Sequence, residues 1–169
     1  LLAGIYGKKE LGIDTNKLII TILVIQVVAI FGAWFFSNIS ERYGNFKALK
    51  VTVLIWVLVC LAAFNLHKEL PNVDVLFYGL GGVLGLVLGA IQSLTRYTYS
   101  KLLPETEDHA TYFSFYDVTE KIAIVLGTFV YGLLYALTDS MQWSVLCLAI
   151  FFIISFMLLS TLKETKFVK

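Results

Sequence analysis

Charge is scarce in this sequence. Asp, Glu, Lys and Arg make up 15% of 169 residues, against about 25% in ordinary soluble domains. A soluble protein of this length could bury a core, but not a chain that is 59% hydrophobic with a mean hydropathy of +0.83. Two prolines and twelve glycines are too few for a disordered or collagenous chain. The two cysteines, Cys60 and Cys147, lie in apolar runs without metal-ligand spacing, so they read as buried small hydrophobes and offer no metal site. A net charge of +1 gives no sign of a nucleic-acid partner. His-Glu-x-x-His, Gly-x-Ser-x-Gly and paired intramembrane aspartates are all missing, so no enzyme and no cofactor is expected. No signal peptide is visible, and Leu1 rather than Met opens the chain, as expected of a fragment.

What the chain does have is long runs without charge. Leu18–Phe36, Val51–Leu66, Val75–Thr95, Ile122–Thr138 and Ser140–Leu162 hold 19, 16, 21, 17 and 23 residues. A bilayer core is crossed by about 20 apolar residues in a helix. The shortest run lengthens if Lys50 snorkels toward the headgroups. The expected fold is therefore all-α, a polytopic membrane bundle in one transmembrane domain over residues 1–169. Its spans are placed at about 18–39, 47–66, 73–103, 111–137 and 141–162, after a helical stump at 1–6.

Along the chain, Asp14, Thr15 and Asn16 are candidate caps for the first complete span, whose lone interior amide, Gln26, reads as a packing group or a substrate contact. His67-Lys68-Glu69-Leu70-Pro71 marks a return to water. In the third span Gly81, Gly85 and Gly89 recur every four residues, a small-xxx-small pattern that lets another backbone approach. Gln92 and Arg96 follow on the same helix. Pro104 is expected to break that helix, with a loop over residues 105–109.

The fourth span carries charge. Asp117, Glu120 and Lys121 stand at i, i+3 and i+4 and share one helix face. Ser114, Thr128, Tyr131 and Tyr135 continue the stripe, while Phe115, Ile122, Leu126, Phe129 and Leu133 point away. Lipid solvates none of these polar groups, so the stripe needs a polar partner or a water-filled cavity. Asp117 and Lys121 stand in the favourable i,i+4 order for pairing within the helix. That leaves Glu120 unneutralised, and rise per residue puts Arg96 at a matching depth on the preceding helix. The expectation is an Arg96–Glu120 pair.

Basic residues are unevenly shared between the two sets of loops. Arg42, Lys47, Lys50, Arg96, Lys101, Lys163, Lys166 and Lys169 fall on one side, and Lys8, Lys9, Lys17 and Lys68 on the other. The positive-inside rule then places the hairpin 96–110 and the C-terminus in the cytoplasm.

Two stretches resemble known patterns. Ser37-Asn38-Ile39-Ser40-Glu41-Arg42-Tyr43-Gly44-Asn45-Phe46-Lys47 resembles the loop motif G-x-x-x-D-R-x-G-R-[RK] of the major facilitator superfamily. Glu41, Arg42 and Gly44 stand at its acidic, basic and second glycine positions and Lys47 one residue past its end, with serine in place of the first glycine, glutamate of the aspartate and asparagine of the first basic residue. Gly89-Ala90-Ile91-Gln92-Ser93-Leu94-Thr95-Arg96, Leu103-Pro104, Phe113-Ser114-Phe115-Tyr116-Asp117-Val118, Lys121 and Leu126-Gly127 are similar to the vacuole effluxer family, the autophagy-related amino-acid permeases, and its bacterial relatives. Glu120 and Thr128 depart from that pattern. The resemblance covers nearly the whole chain. It implies the C-terminal six-helix half of a twelve-span transporter with its first helix truncated, in the plasma membrane if bacterial and the vacuolar membrane if fungal. Export of amino acids is implied by the fungal branch.

The leading functional expectation is half of a secondary active transporter that moves a small solute by alternating access around a site near the bilayer midplane. Gln92, Arg96, Asp117, Glu120 and Lys121 are its candidate cavity or gate residues, with Lys121 attracting a substrate carboxylate. The expected partners are the lipid bilayer, the other half of the transporter and a small-molecule substrate. The isolated fragment is expected to transport nothing alone and is open to self-association through its cavity face. Two other readings stay open. The charges could only hold helix ends together, and the chain could belong to a non-transporting scaffold or sensor built on a permease fold.

Overall fold

The computed structural model describes residues 2–66, 69, 71–103 and 108–162. His67, Lys68, Leu70, Pro104, the loop 105–107 and the basic tail 163–169 lie outside the described residues, and so do the expectations placed on them. Among the described residues there are six helices, α1 (Leu2–Lys9), α2 (Thr15–Tyr43), α3 (Asn45–Phe64), α4 (Val73–Leu102), α5 (His109–Thr138) and α6 (Met141–Thr161), and no strand. The last five are long and apolar enough to cross a membrane.

Helix ends follow local chemistry. The Asp14 carboxylate accepts from the Asn16 N–H at 3.3 Å and caps α2. Gly44, at φ 96°, ends α2 and starts α3, and its N–H donates to the Ser40 carbonyl at 2.9 Å. A side chain there would be strained, so this glycine makes the sharp turn possible. Asp139, at φ 50°, closes α5 by donating its N–H to the Tyr135 carbonyl at 2.9 Å. α2, α4 and α5 outrun their charge-free runs, with 29, 30 and 30 residues. Each is roughly 45 Å long, more than a hydrocarbon core of about 30 Å. Their charged ends therefore remain helical beyond the apolar stretch.

The most extensive packing is between α2 and α4, which run parallel. A Cβ added to Gly85 would lie 2.7 Å from the Ile25 carbonyl oxygen, and one on Gly89 would lie 1.8 Å from that of Ala29. Gly32 answers from α2, since a Cβ there would meet the Leu86 carbonyl oxygen at 2.1 Å. Gly81 lies further up the same seam, facing Thr21. The two backbones touch because these positions carry no side chain. α3 packs on α4 and α6, where Trp56 stacks on Phe152 with ring centroids 5.0 Å apart.

Two buried clusters mark the ends of the bundle. Tyr6, Leu11, Ile13, Leu18, Leu66, Phe77 and Met141 form one, tied by the Tyr6 hydroxyl, which donates to the Ala63 carbonyl at 2.7 Å. Phe36, Ala48, Leu49, Ala90 and Leu94 form the other, near the α2–α3 turn. Cys60 is buried and Cys147 partly so. Gln26 is exposed rather than packed against a neighbouring helix. α5 is the least buried of the five long helices, although Tyr135 packs against the first cluster. It rests on α6, and Tyr131 is its single buried residue among those described. Ile20, Ile30, Phe31, Trp34, Phe115, Val125 and Phe129 are each more than half exposed, a surface suited to lipid or to a packed neighbour rather than to water.

Candidate functional site

α4 and α5 meet through side chains near the hairpin end and diverge beyond it. The Tyr99 hydroxyl donates to the Tyr112 carbonyl at 2.9 Å, and the Tyr99 ring lies 5.8 Å from Phe113 and 5.0 Å from Tyr116. One turn inward, the Tyr116 hydroxyl donates to Thr95 Oγ1 at 3.0 Å. At the start of α5, Asp108 accepts from the Thr111 N–H at 3.2 Å. Hydrogen bonds from the Thr111 hydroxyl and N–H together hold the Asp108 carboxyl below its ordinary value.

Arg96 stands at the inner edge of this junction. Its Nη2 donates to Asp117 Oδ1 at 2.9 Å and lies 3.8 Å from Glu120 Oε2. One guanidinium thus serves two carboxylates, and its carbon sits 5.7 Å from the centre of the Tyr116 ring. The pairing differs from the sequence expectation in two respects, the first being that the close partner is Asp117 and Glu120 takes the longer contact. Lys121, expected to pair with Asp117, is exposed and makes no ion pair among the described residues. Arg96 reaches both carboxylates from α4, and its planar guanidinium holds its N–H donors in a fixed fork. Side-chain exposures are 58% for Arg96, 53% for Asp117 and 34% for Glu120, so Glu120 is the most sheltered of the three.

Beyond the cluster, α2, α4 and α5 line an open cleft of about 860 Å³. Gln92, Arg96 and Glu120 line it together with Ser93, Thr95, Tyr116 and Thr119. Gly89 lies at its back, where Ala29, Ile30 and Ala33 of α2 supply an apolar wall. Of the five candidate cavity residues, three line the cleft, Asp117 anchors Arg96 beside it, and Lys121 is not among the lining residues. The loop-motif residues Glu41, Arg42 and Lys47 are exposed around Gly44, at the same end of the bundle as the hairpin. Tyr116, Thr95, Tyr99 and Gly32 were not singled out in the sequence. The first two lie inside the stretch that carries the family resemblance, which was the available signal.

The polar stripe of α5 does not serve one site. Toward its far end, Tyr131 lines a second cavity of about 390 Å³ beside Trp56, Cys60 and Phe152. The Tyr131 hydroxyl and Trp56 Nε1 have no hydrogen-bond partner there among the described residues. Tyr135, one turn on, lies under the Lys9 ammonium at 4.9 Å. Among the described residues, no group of His, Cys, Asp and Glu could hold a metal ion.

Comparison with known proteins meets these observations. The chain is 30% identical over 160 residues to an uncharacterised MFS-type transporter, YxiO, of Bacillus subtilis, covering 94% of this chain and 36% of that protein. It is 26% identical over 159 residues to autophagy-related protein 22 of Kluyveromyces lactis, covering 90% of this chain and 32% of the relative. For autophagy-related protein 22 of Saccharomyces cerevisiae the identity is 27% over 155 residues, with 84% and 28% covered. The chain therefore spans about a third of the length of the curated relatives it matches. No solved structure matches it significantly. The model of the vacuole effluxer Atg22-like family matches residues 1–168, and the chain belongs to that family.

Proposed function

We propose that this chain is the C-terminal part of a secondary active transporter, and that the cleft between α2, α4 and α5 is its share of the solute path. The observation that carries this reading is the Arg96–Asp117–Glu120 cluster on the cleft wall. Ionised groups inside a spanning segment cost on the order of 2.5–3.5 kcal/mol each at its centre. They are kept where they pair, or where they face a polar cavity, and this cluster does both. The family supports transport as the activity. The major facilitator type of the Bacillus subtilis relative supports reading it as alternating access on a small solute, with a complementary half.

In this reading Asp117 and Arg96 pin α4 to α5 near the hairpin, and Gln92 and Glu120 face the solute. The α2–α3 turn, the hairpin and the C-terminus lie on the cytoplasmic side. The test is solute counterflow by full-length protein in proteoliposomes, over a panel of amino acids, amines and organic acids. Saturable exchange of at least one solute is expected, lost on Arg96→Gln while the protein still elutes as a folded species. Full-length protein that binds a solute but exchanges none would contradict transport and favour a sensor.

A further inference from the structure

We infer that Tyr116 is a positioning residue for the cleft: its ring holds the Arg96 guanidinium in place, and its hydroxyl holds the ring. The inference rests on the reading of the cleft as part of the solute path, and it names what keeps the charged wall of that path in order. The need for such a residue lies in the ion pair itself. A single nitrogen of Arg96, Nη2, donates to Asp117 Oδ1 at 2.9 Å and faces Glu120 Oε2 at 3.8 Å. Contact through one nitrogen leaves the guanidinium plane free to turn about that bond, unlike the two parallel bonds of a forked pair. Burial does not fix the plane either, because more than half of the Arg96 side chain is exposed.

Tyr116 supplies the missing restraint. Arg96 Cζ lies 5.7 Å from the centre of the Tyr116 ring, within the range at which a cation is drawn to an aromatic face. The ring is fixed in turn by α4. Thr95 has one hydroxyl proton and gives it to the Ile91 carbonyl at 2.6 Å, so toward Tyr116 it accepts. The Tyr116 hydroxyl donates to it at 3.0 Å. The chain of hydrogen bonds therefore runs one way, from α5 through Thr95 into the backbone of α4. The Tyr99 ring packs on Tyr116 as well, with centroids 5.0 Å apart. Thr95, Arg96 and Tyr99 of α4 thus grip one side chain of α5. Phe115, the adjacent aromatic, is exposed and does not line the cleft, whereas Tyr116 does. If the guanidinium turned, it would leave Asp117 and loosen α4 from α5, so Tyr116 acts on exchange through Arg96.

The experiment is phenylglyoxal modification of the full-length protein in detergent, read peptide by peptide by mass spectrometry. Exposed Arg42 serves as the internal reference. Tyr116→Leu removes the ring. It is expected to speed modification of Arg96 relative to Arg42 about two- to fivefold, the strength of a cation–π contact at an exposed site. Tyr116→Phe keeps the ring but loses its tie to Thr95, and Thr95→Val loses the same tie from the other side. Each is expected to give a smaller rise, and the two together no more than either alone, because they remove one bond. These milder variants test the tie should Tyr116→Leu fold poorly. In counterflow over the panel above, Tyr116→Leu is expected to lower the maximal rate per folded protein about threefold or more, with half-saturation unchanged. Tyr116→Phe is expected to keep most of that rate. Unchanged Arg96 reactivity in Tyr116→Leu, effects of Tyr116→Phe and Thr95→Val that add, or a loss confined to half-saturation would overturn the proposal. The reactivity readout needs no flux. Raised Arg96 reactivity in a protein that exchanges no solute would defeat the transport reading alone, and intact exchange with unchanged reactivity would defeat this one alone.

Discussion

At the scale of single residues, what matters is which carboxylate Arg96 reaches. Depth along the two helices decides it. α4 ends at Leu102 and α5 begins at His109, so Arg96 lies roughly 9 Å from its helix end, Asp117 roughly 12 Å and Glu120 roughly 16 Å. Asp117 is the better match, and it takes the 2.9 Å contact. Counting from Pro104 and Thr111 instead shifts each helix by two residues and favours Glu120. The charged partners were legible in the sequence, but their ranking hung on helix boundaries, which local pattern places to within a turn at best. Asp108 carries a pH signature of its own. Its carboxyl is held below its ordinary value by the Thr111 hydroxyl and N–H. A group depressed in the folded state adds stability above its unfolded pKa, and that stability is lost as pH falls through the folded value. The start of α5 is therefore expected to fray as pH drops below the ordinary carboxylate range. Amide exchange at Thr111 should accelerate there in the wild type relative to an internal amide, and Asp108→Asn should remove most of that acceleration. Equal acceleration in both proteins would show that the cap is not responsible.

At the scale of elements, the α2–α4 seam is set by bare backbone. Gly81, Gly85 and Gly89 could be read as a packing stripe from their spacing, but their partner could not. Gly32 stands alone in its run, and only the parallel packing of α2 on α4 shows that it meets Leu86. Spacing within one helix is visible in a sequence, whereas contact between helices is a property of the pair. A methyl group on Gly32 would sit 2.1 Å from the Leu86 carbonyl oxygen, a backbone atom that cannot swing aside. Gly32→Ala is therefore expected to destabilise the protein by about 1–3 kcal/mol, the range for overpacking, and to lower its unfolding midpoint in detergent. Gly82, in the same helix as Gly85, has nothing within 4 Å of an added Cβ. Gly82→Ala should be neutral or stabilising by up to about 1 kcal/mol through helix propensity. Equal loss in both variants would mean that propensity rather than close approach governs these positions.

At the scale of the whole molecule, the chain is a multi-pass integral membrane protein of a transporter family. Composition and charge-free runs showed its helical class and its five long apolar helices, because lipid demands both the length and the apolarity of each span. They could not show that α5 is the least buried of the five, since its apolar residues look the same whether they face lipid or protein. The parallel course of α2 and α4 puts the α2–α3 turn and the α4–α5 hairpin at one end. With Cys60 and Cys147 replaced by alanine, Asn16→Cys and Ser100→Cys in full-length protein are expected to react with an impermeant maleimide from opposite faces of the membrane, Ser100 from the cytoplasmic one. Reaction of both from one face would contradict the arrangement of spans. In the proposed transporter Arg96 and Asp117 act as a pair inside a working solute path. Counterflow by reconstituted full-length protein carrying Arg96→Asp, Asp117→Arg or both measures this directly. Each single reversal is expected to abolish exchange by placing like charges together, and the double reversal to restore a measurable part of it. Losses that simply add, with no recovery in the double variant while it remains folded, would contradict the account.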